Sequence, residues 1–273
     1  MARQFIYDSV GFSEATIKSG TFSGGATKTF TENTSSIANI ERIADQNISL
    51  SIPFGVWDFN DVVQIDLKSQ KSSNCIALYH TGGTQSEDND LLVYASDSAT
   101  SWVSSGTPND FIQTLSTDHP MDDWSVFDIT ITDKRYIYIY NGTNGDYDYL
   151  TEMIIGSKYT FDVNPELNSK IGEQFGTDIV TSYGGSEYAN KRHAPKTTWD
   201  FTFSHILSTQ KTALEALNAN VQDWKKFIYY DDSDSTTTPP STYHYVRLVN
   251  PIEFTEVAPN VFSANVSLRE QLV

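Results

Sequence analysis

Residues 199–206, with the sequence WDFTFSHI, decide how we interpret this chain. Large side chains at Trp199, Phe201 and Phe203 alternate with small polar ones. Because successive side chains of a strand point to opposite faces, this alternation makes one face apolar and the other polar. The stretch therefore predicts a half-buried β-strand.

The hydrophobic period changes directly after this strand. In residues 209–221, TQKTALEALNANV, apolar residues recur at helical spacing, which predicts an amphipathic helix. The residues expected on its buried side are Ala213, Leu214, Leu217 and Val221. The hydroxyls of Ser208 and Thr209 offer an N-cap. Three further strands are predicted at 224–230, 244–249 and 261–270, so the last third should be an antiparallel, β-barrel-like domain with one packed helix.

Short strands also recur through the N-terminal half. After Trp57 they are VVQIDL (62–67), CIALYH (75–80), LLVYAS with DSATSWV (91–103), WSVFDITI (124–131) and YIYIY (136–140), separated by Gly, Asn, Asp and Pro clusters. Short strands with regular turn signals are typical of a sandwich or jelly roll. The fold class predicted for the whole chain is therefore mainly β.

The order of these strands resembles the discoidin family of galactose-binding-like jelly rolls. The shared patterns are a "W…QIDL" strand, an "I-x-L-Y" strand, an "L-x-V-Y-x-S-x-D…W" hairpin and a terminal "R-Y-I-x-I-Y" strand, within residues 37–144. The resemblance implies a jelly roll that binds a glycan or acts as a spacer. It also implies a loop calcium site, for which Asp45 and Asn47 are the candidate oxygen ligands.

Residues 155–272 resemble distal tail and tail-tip proteins of tailed phages. One shared pattern is "TSYGG-x-E-x-x-x-x-R", with Tyr183, Gly184, Gly185, Glu187 and Arg192. Another is "VRL-x-x-P…N-x-F-x-x-x-V-x-L-x-E", with Val246, Arg247, Leu248, Pro251, Asn260, Phe262, Val266, Leu268 and Glu270. The resemblance implies a subunit that forms a closed ring, expected to be a hexamer.

The two resemblances divide the chain into three predicted parts. Residues 1–30 are an N-terminal arm or first strands, 31–147 the discoidin-like jelly roll, and 148–273 the ring-forming β domain with one helix. A polar loop at 231–242, DDSDSTTTPPST, interrupts the second domain and is longer than a hairpin turn requires.

Composition excludes several classes of partner. The formal net charge is −17, which argues against nucleic acid, because phosphate binding needs a dense cationic surface. The N-terminus lacks the apolar core of a signal peptide and no long apolar run occurs, so we expect no membrane insertion and synthesis in a host cytoplasm. The one cysteine, Cys75, lies in an apolar run and is predicted to be a core residue.

Catalytic and metal-binding patterns are weak. The 5 histidines show no metal-ligand spacing. The sequence contains no nucleophile elbow and no phosphate-binding loop, and its paired Asp residues fit solvated turns. We therefore expect neither an enzyme nor a bound cofactor.

Charged segments are instead candidates for contacts between subunits. The basic run KRHAPK supplies Lys191, Arg192, His193 and Lys196, and the acidic loop supplies Asp231, Asp232 and Asp234. Either segment could be only solvated; as interface residues, the cations of one copy would meet the acidic loop of the next.

Together these patterns predict a virion structural protein at the phage tail tip. It would join the tail tube protein to hub or tail-fibre proteins through a ring of its own copies. The alternative is a carbohydrate-binding adhesion module that contacts a glycan on the host surface. A third interpretation is an accessory domain of a glycan-degrading enzyme.

Overall fold

The protein is described here from a computed structural model. The described residues are 3–33, 40–46, 61–80, 90–106, 110–115, 123–142, 150–166, 169–183, 185–222, 224–231 and 243–271. The architecture is mainly β with one α-helix and antiparallel pairing, which confirms the predicted fold class and is consistent with a jelly-roll sandwich. Contacts divide the chain into one unit of Ile6–Lys158 and another of Met1–Phe5 with Tyr159–Val273. The predicted domain limits, 31–147 and 148–273, stay predictions.

Within the described ranges, the secondary structure consists of strands, two short 3₁₀ turns at Phe12–Glu14 and Ile40–Ala44, and one helix, α1, at Ser208–Val221. The strands are β1 Gln4–Tyr7, β2 Thr16–Ser23, β3 Thr27–Glu32, β4 Asp61–His80, β5 Leu91–Ser96, β6 Ser101–Val103, β7 Phe111–Leu115, β8 Asp123–Asn141, β9 Leu150–Thr160, β10 Lys170–Thr181, β11 Glu187–Leu207, β12 Phe227–Tyr230, β13 Tyr243–Leu248, β14 Glu253–Ala258 and β15 Val261–Glu270.

In the Ile6–Lys158 unit, the long strand β4 pairs with β2, β8 and β9. Strand β8 also pairs with β5, and β5 pairs with β7. A second chain of pairs runs from β2 to β3 and on to β6. The N-terminal segment, predicted to be an arm or first strands, therefore supplies β2 and most of β3 to this sheet.

The YIYIY run of β8 is buried on both faces. Ile137 and Ile139 belong to an aliphatic cluster, whereas Tyr138 and Tyr140 belong to an aromatic cluster that includes Trp102. Because side chains alternate along a strand, one sequence run supplies both clusters. This alternation explains why a run without polar residues forms a strand in the middle of this unit.

Two pairs of predicted strands are continuous in the structure. VVQIDL and CIALYH are both parts of β4, and WSVFDITI and YIYIY are both parts of β8. The two long strands stay paired across register shifts, and each contains a residue of positive φ there, Lys68 at 67° and Asp133 at 49°. The predicted DSATSWV strand is wrong in its first half: only Ser101–Val103 is a strand, since hydroxyl hydrogen bonds of Ser96 and Ser98 form a turn before it.

The other unit has the strand order β10, β11, β15, β13, β12, with β14 added to β15. The predicted strands at 224–230, 244–249 and 261–270 are confirmed with small shifts of their ends, and the strand predicted at 199–206 is confirmed as the last part of β11, which begins at Glu187. Two strands, β10 and β14, were not predicted. The N-terminal residue Phe5 belongs to this unit, and its ring lies 4.7 Å from that of Phe161 and 5.4 Å from that of Phe227.

Helix α1 packs against β11 and β15, with Leu214, Leu217 and Val221 buried as predicted. The predicted hydroxyl N-cap is wrong: the helix begins at Ser208, and the capping position is Leu207, which forms no side-chain cap hydrogen bond. The helix also buries Gln210 completely. The Val163 N–H donates to Gln210 Oε1 at 2.7 Å, and Gln210 Nε2 donates to the Val163 carbonyl at 3.0 Å, which satisfies the buried amide.

Candidate functional site

The most exposed part of the Tyr159–Val273 unit is a long hairpin formed by β10 and the first half of β11. Its strands pair from Lys170 opposite Asp200 to Thr181 opposite Glu187. The turn is closed by the Gly185 N–H, which donates to the Ser182 carbonyl at 2.9 Å. Gly185 has a φ of 82°, a conformation that favours glycine. We call residues 170–198 the hairpin arm.

One face of the hairpin arm carries an apolar row. Ile171, Phe175 and Ile179 recur every fourth residue along β10, a spacing that puts side chains on one face of a strand, and two register shifts of the hairpin lie between Gln174 and Thr177. Their exposed fractions are 63%, 69% and 63%. On the other face Val180 and Tyr188 are cross-strand neighbours and both are exposed. Exposed apolar residues in this number mark a contact surface.

The edge of the hairpin arm is also free among the described residues. Strand β10 has 12 residues and pairs only with β11 in the part of the chain that the structure describes. Its outer backbone N–H and C=O groups can therefore accept another strand. An unprotected edge beside an apolar row is a template for strand addition.

The basic run lies within β11, in the hairpin arm, and is therefore part of a strand. The guanidinium of Arg192 forms an ion pair with Asp178 on the facing strand. His193 lies against Gly176, where a Cβ atom would come within 2.3 Å of the imidazole. Lys191 and Lys196 form no ion pair with any described residue, so their charges are available for a partner.

The base of the hairpin arm is fixed by a polar cluster. The Thr197 N–H donates to Glu270 Oε2 at 3.0 Å, and His244 Nδ1 lies 3.7 Å from Glu270 Oε1. The interaction with His244, followed by the hydrogen bond from Thr197, lowers the pKa of Glu270 to about 2. The His244 ring also lies 4.7 Å from the ring of buried Trp199.

Of the three predicted acidic interface residues, the structure describes Asp231. Asp231 directly follows β12 and is buried, where it accepts a hydrogen bond from Arg3 Nε at 3.1 Å. Burial, followed by the negative charge of Asp231, raises the pKa of nearby Tyr229. Asp231 is thus part of the interior rather than of an exposed loop. Asp232 and Asp234 lie outside the described residues, and an interface role for the three stays a prediction.

Of the two candidate calcium ligands, the structure describes Asp45. Asp45 is exposed after the 3₁₀ turn Ile40–Ala44, and Asn47 lies outside the described residues. Within the described ranges, no three His, Cys, Asp or Glu side chains form a metal-binding group. Calcium binding stays a prediction. Cys75 is fully buried as predicted, and burial raises the pKa of its thiol to about 12.

The sandwich unit has an exposed aromatic ring at Phe111. Its exposed fraction is 40%, and its ring packs edge-on against Tyr94 at 5.4 Å. Among the described residues of Ile6–Lys158, no other large hydrophobic side chain is as exposed. None of the described helices is long and apolar enough to span a membrane.

No protein-family model and no curated protein matches the sequence. Among solved structures, the chain is similar to a Streptococcus pneumoniae fucose-binding module at 11% identity and a TM-score of 0.36, covering 55% of this chain and 95% of the module. It is similar to the lectin domain of lectinolysin, solved with Lewis B antigen, at 14% and 0.33, covering 52% and 92%. It is also similar to the tail of an empty GTA particle, at 11% and 0.27, covering 42% and 83%. At TM-scores this low, the likenesses assign no function to this chain.

Sequence reasoning missed the residues that form this surface. The apolar row of β10 left a signal in KIGEQFGTDIVT, where Ile171, Phe175 and Ile179 share one face of a strand. The two interspersed glycines, Gly172 and Gly176, obscured the strand pattern, since glycine is depleted in strands. Nothing in the local sequence indicated that Arg3 would pair with Asp231, because the two residues are far apart in the chain.

Proposed function

We propose that this chain is a structural subunit that assembles with its own copies through the hairpin arm. The observation that carries the proposal is the combination of a free edge on β10 with the exposed row of Ile171, Phe175 and Ile179. Soluble monomers seldom leave a long, apolar edge strand uncovered, because such an edge invites pairing with another chain. Covering this edge with a second copy would bury the row and pair the backbone groups.

The assembly is a closed ring at the tip of a phage tail, made in the host cytoplasm. Support for the tail comes from the sequence resemblance of 155–272 to distal tail proteins. A ring forms if the hairpin arm contacts a different patch on the next copy, because a contact between two different patches continues from copy to copy until the rotation closes. In this role the ring joins the tail tube protein to hub or tail-fibre proteins.

The test is a triple substitution of the apolar row, Ile171→Thr with Phe175→Thr and Ile179→Thr. Threonine keeps the β-propensity of the strand but removes most of the apolar surface. In mass photometry, the parent protein should form oligomers of defined size and the triple variant should be monomeric. The matched control is Val163→Thr with Val249→Thr, which changes exposed residues outside the hairpin arm.

Far-UV circular dichroism should show that both variants keep their β content. If the triple variant assembles as well as the parent at equal concentration, the hairpin arm does not drive assembly. If the control loses assembly to the same degree, the effect belongs to general surface hydrophobicity and the proposal is wrong.

A second candidate function is glycan binding by the sandwich unit. The carbohydrate-binding proteins named above suggest this hypothesis, and Phe111 is the residue that would contact the glycan. A solvent-facing aromatic ring held by a second ring offers a flat apolar surface against which the C–H face of a pyranose can pack.

Isothermal titration with fucose and with chitotriose tests the second candidate. Binding that is lost in Phe111→Thr and retained in the apolar-row variant would support it. The absence of heat with both sugars and on a broad glycan array would count against it, without bearing on assembly.

A further inference from the structure

The Tyr159–Val273 unit has a second free edge, on β14. In the described part of the chain, β14 pairs only with β15, as β10 pairs only with β11. The first residues of β14, from Glu253 to Glu256, are in regular register with β15, from Asn265 to Phe262. A contact between unlike surfaces needs two different surfaces on each copy, and two different free edges on one unit meet this need.

The charges of the two surfaces differ: β14 is acidic, whereas in the hairpin arm the basic run lies on β11, beside an edge strand β10 that carries Lys170, Glu173 and Asp178. Strand β14, EFTEVA, has Glu253 and Glu256 and no basic residue. Lys191 and Lys196 lie on β11 of the hairpin arm, the first exposed and the second half-buried, without an ion-pair partner among the described residues. In a chain of net charge −17, these lysines belong to the one dense cationic run. Complementary charge brings unlike surfaces together and disfavours contact between two hairpin arms.

A cleft lies over one face of the β14–β15 pair. Its volume is about 470 Å³, and it is lined mainly by polar residues of β14 and β15. Glu253 and Thr255 lie on the side of β14 that lines the cleft, opposite Asn265 and Ser263. Glu253 forms no ion pair within the described residues. A lysine entering the cleft would therefore meet one carboxylate together with hydroxyl and amide oxygens.

We infer that β14 is the acceptor for the hairpin arm of a second copy. The free edge of β10 pairs along β14, and a lysine of the basic run, Lys191 or Lys196, reaches Glu253 in the cleft. Exposed Val257 on β14 adds apolar surface for the Ile171, Phe175 and Ile179 row. The inference rests on the proposed function, since it names the partner surface for the same hairpin arm.

Charge reversal tests this pairing in the full-length chain. Glu253→Lys and the double variant Lys191→Glu with Lys196→Glu should each raise the dissociation constant of the oligomer, measured by mass photometry dilution, by about tenfold or more. The triple variant that combines them should regain most of the parent affinity, and so should an equal mixture of the two. Glu41→Lys, an exposed acid in the other unit, is the control for net charge and should change nothing.

The outcomes distinguish failure of the inference about β14 from failure of the proposed assembly. If Glu253→Lys assembles like the parent while the apolar-row variant is monomeric, β14 is not the acceptor and the hairpin arm docks elsewhere. If the parent protein is monomeric at every concentration, both the inference and the proposed function fail. If Glu253→Lys melts at a lower temperature than the parent, Glu253→Gln replaces it in the test. The expected loss of oligomer affinity is then smaller, about threefold.

Discussion

The backbone N–H of Thr197 donates a hydrogen bond to the carboxylate of Glu270 at 3.0 Å. This bond connects the last strand, β15, to the point where β11 enters the hairpin arm. The same carboxylate faces His244 on β13, so one side chain links three strands. The base of the hairpin arm is therefore stabilised by a specific polar contact as well as by packing.

The first prediction concerns the pH dependence of this base. The pKa of Glu270 is about 2 in the folded chain against an ordinary 4.5. A depressed carboxyl pKa stabilises the fold at pH above the unfolded value, and this contribution is lost as pH falls from about 4.5 toward 2. Glu270→Gln should therefore be less stable than the parent at pH 6, and the difference should shrink toward pH 2. Urea midpoints at constant ionic strength measure it.

Glu41→Gln is the control for this prediction, because Glu41 is exposed, lies in the other unit and forms no bond to another described side chain. Its urea midpoint should follow that of the parent at every pH. A Glu270→Gln variant that differs from the parent by the same amount at pH 6 and pH 2 would show that the carboxylate charge plays no part.

The second prediction concerns helix packing. Leu217→Ala removes a fully buried side chain between α1 and its sheet and should cost about 2–5 kcal/mol of unfolding free energy through lost transfer energy and the cavity left behind. Chemical denaturation measures the loss. Thr212→Ala, at an exposed position of the same helix, should stay within about 0.5 kcal/mol of the parent. Equal effects of the two substitutions would mean that the helix is not part of the core.

The third prediction concerns the buried amide of Gln210. Gln210→Leu keeps the apolar volume but leaves the Val163 N–H and C=O without their partner, which should cost about 1–3 kcal/mol. Hydrogen exchange gives a local measurement: the Val163 amide should exchange faster in the variant. The Ser169 amide, which donates to the Glu166 carbonyl, should keep its rate. Unchanged exchange at Val163 would contradict the role assigned to Gln210.

The fourth prediction compares two glycines of the sandwich unit. A Cβ atom at Gly156 would lie 2.0 Å from the backbone oxygen of Tyr7, so Gly156→Ala should force the backbone apart and lower the melting temperature clearly. At Gly25 a Cβ atom would meet nothing within 4 Å, so Gly25→Ala should leave the melting temperature within a degree or so of the parent. Similar melting of the two variants would show that Gly156 is not tightly packed.

The fifth prediction concerns independent folding. A fragment of 6–158 contains every strand that pairs with β4, so it should melt cooperatively. The shorter fragment 31–147 lacks β2 and β9, which flank β4, and should melt at a lower temperature. Calorimetry of both fragments measures this. Equal melting would favour the sequence-based limits over the division by contacts.

Much of the fold could be predicted because it is encoded locally. The alternation at Trp199, Phe201 and Phe203 and the helical spacing of Leu214 and Leu217 depend only on neighbouring residues, and both elements are confirmed. The strands around Cys75 and Ile137 could be predicted equally well from the local sequence. Their continuation into two long strands could not be predicted, because pairing across a register shift depends on the partner strand.

The candidate site was decided by the tertiary structure. The sequence by itself showed a cationic run at Lys191–Lys196 and left open whether it was solvated; it did not show that β10 lies beside it with an uncovered apolar row. It placed Asp231 in a polar loop, whereas pairing with Arg3 buries it. Short-range periodicity determines strands and helices because side-chain direction follows the backbone, but which edges remain free and which charges find partners depends on residues far apart in the chain.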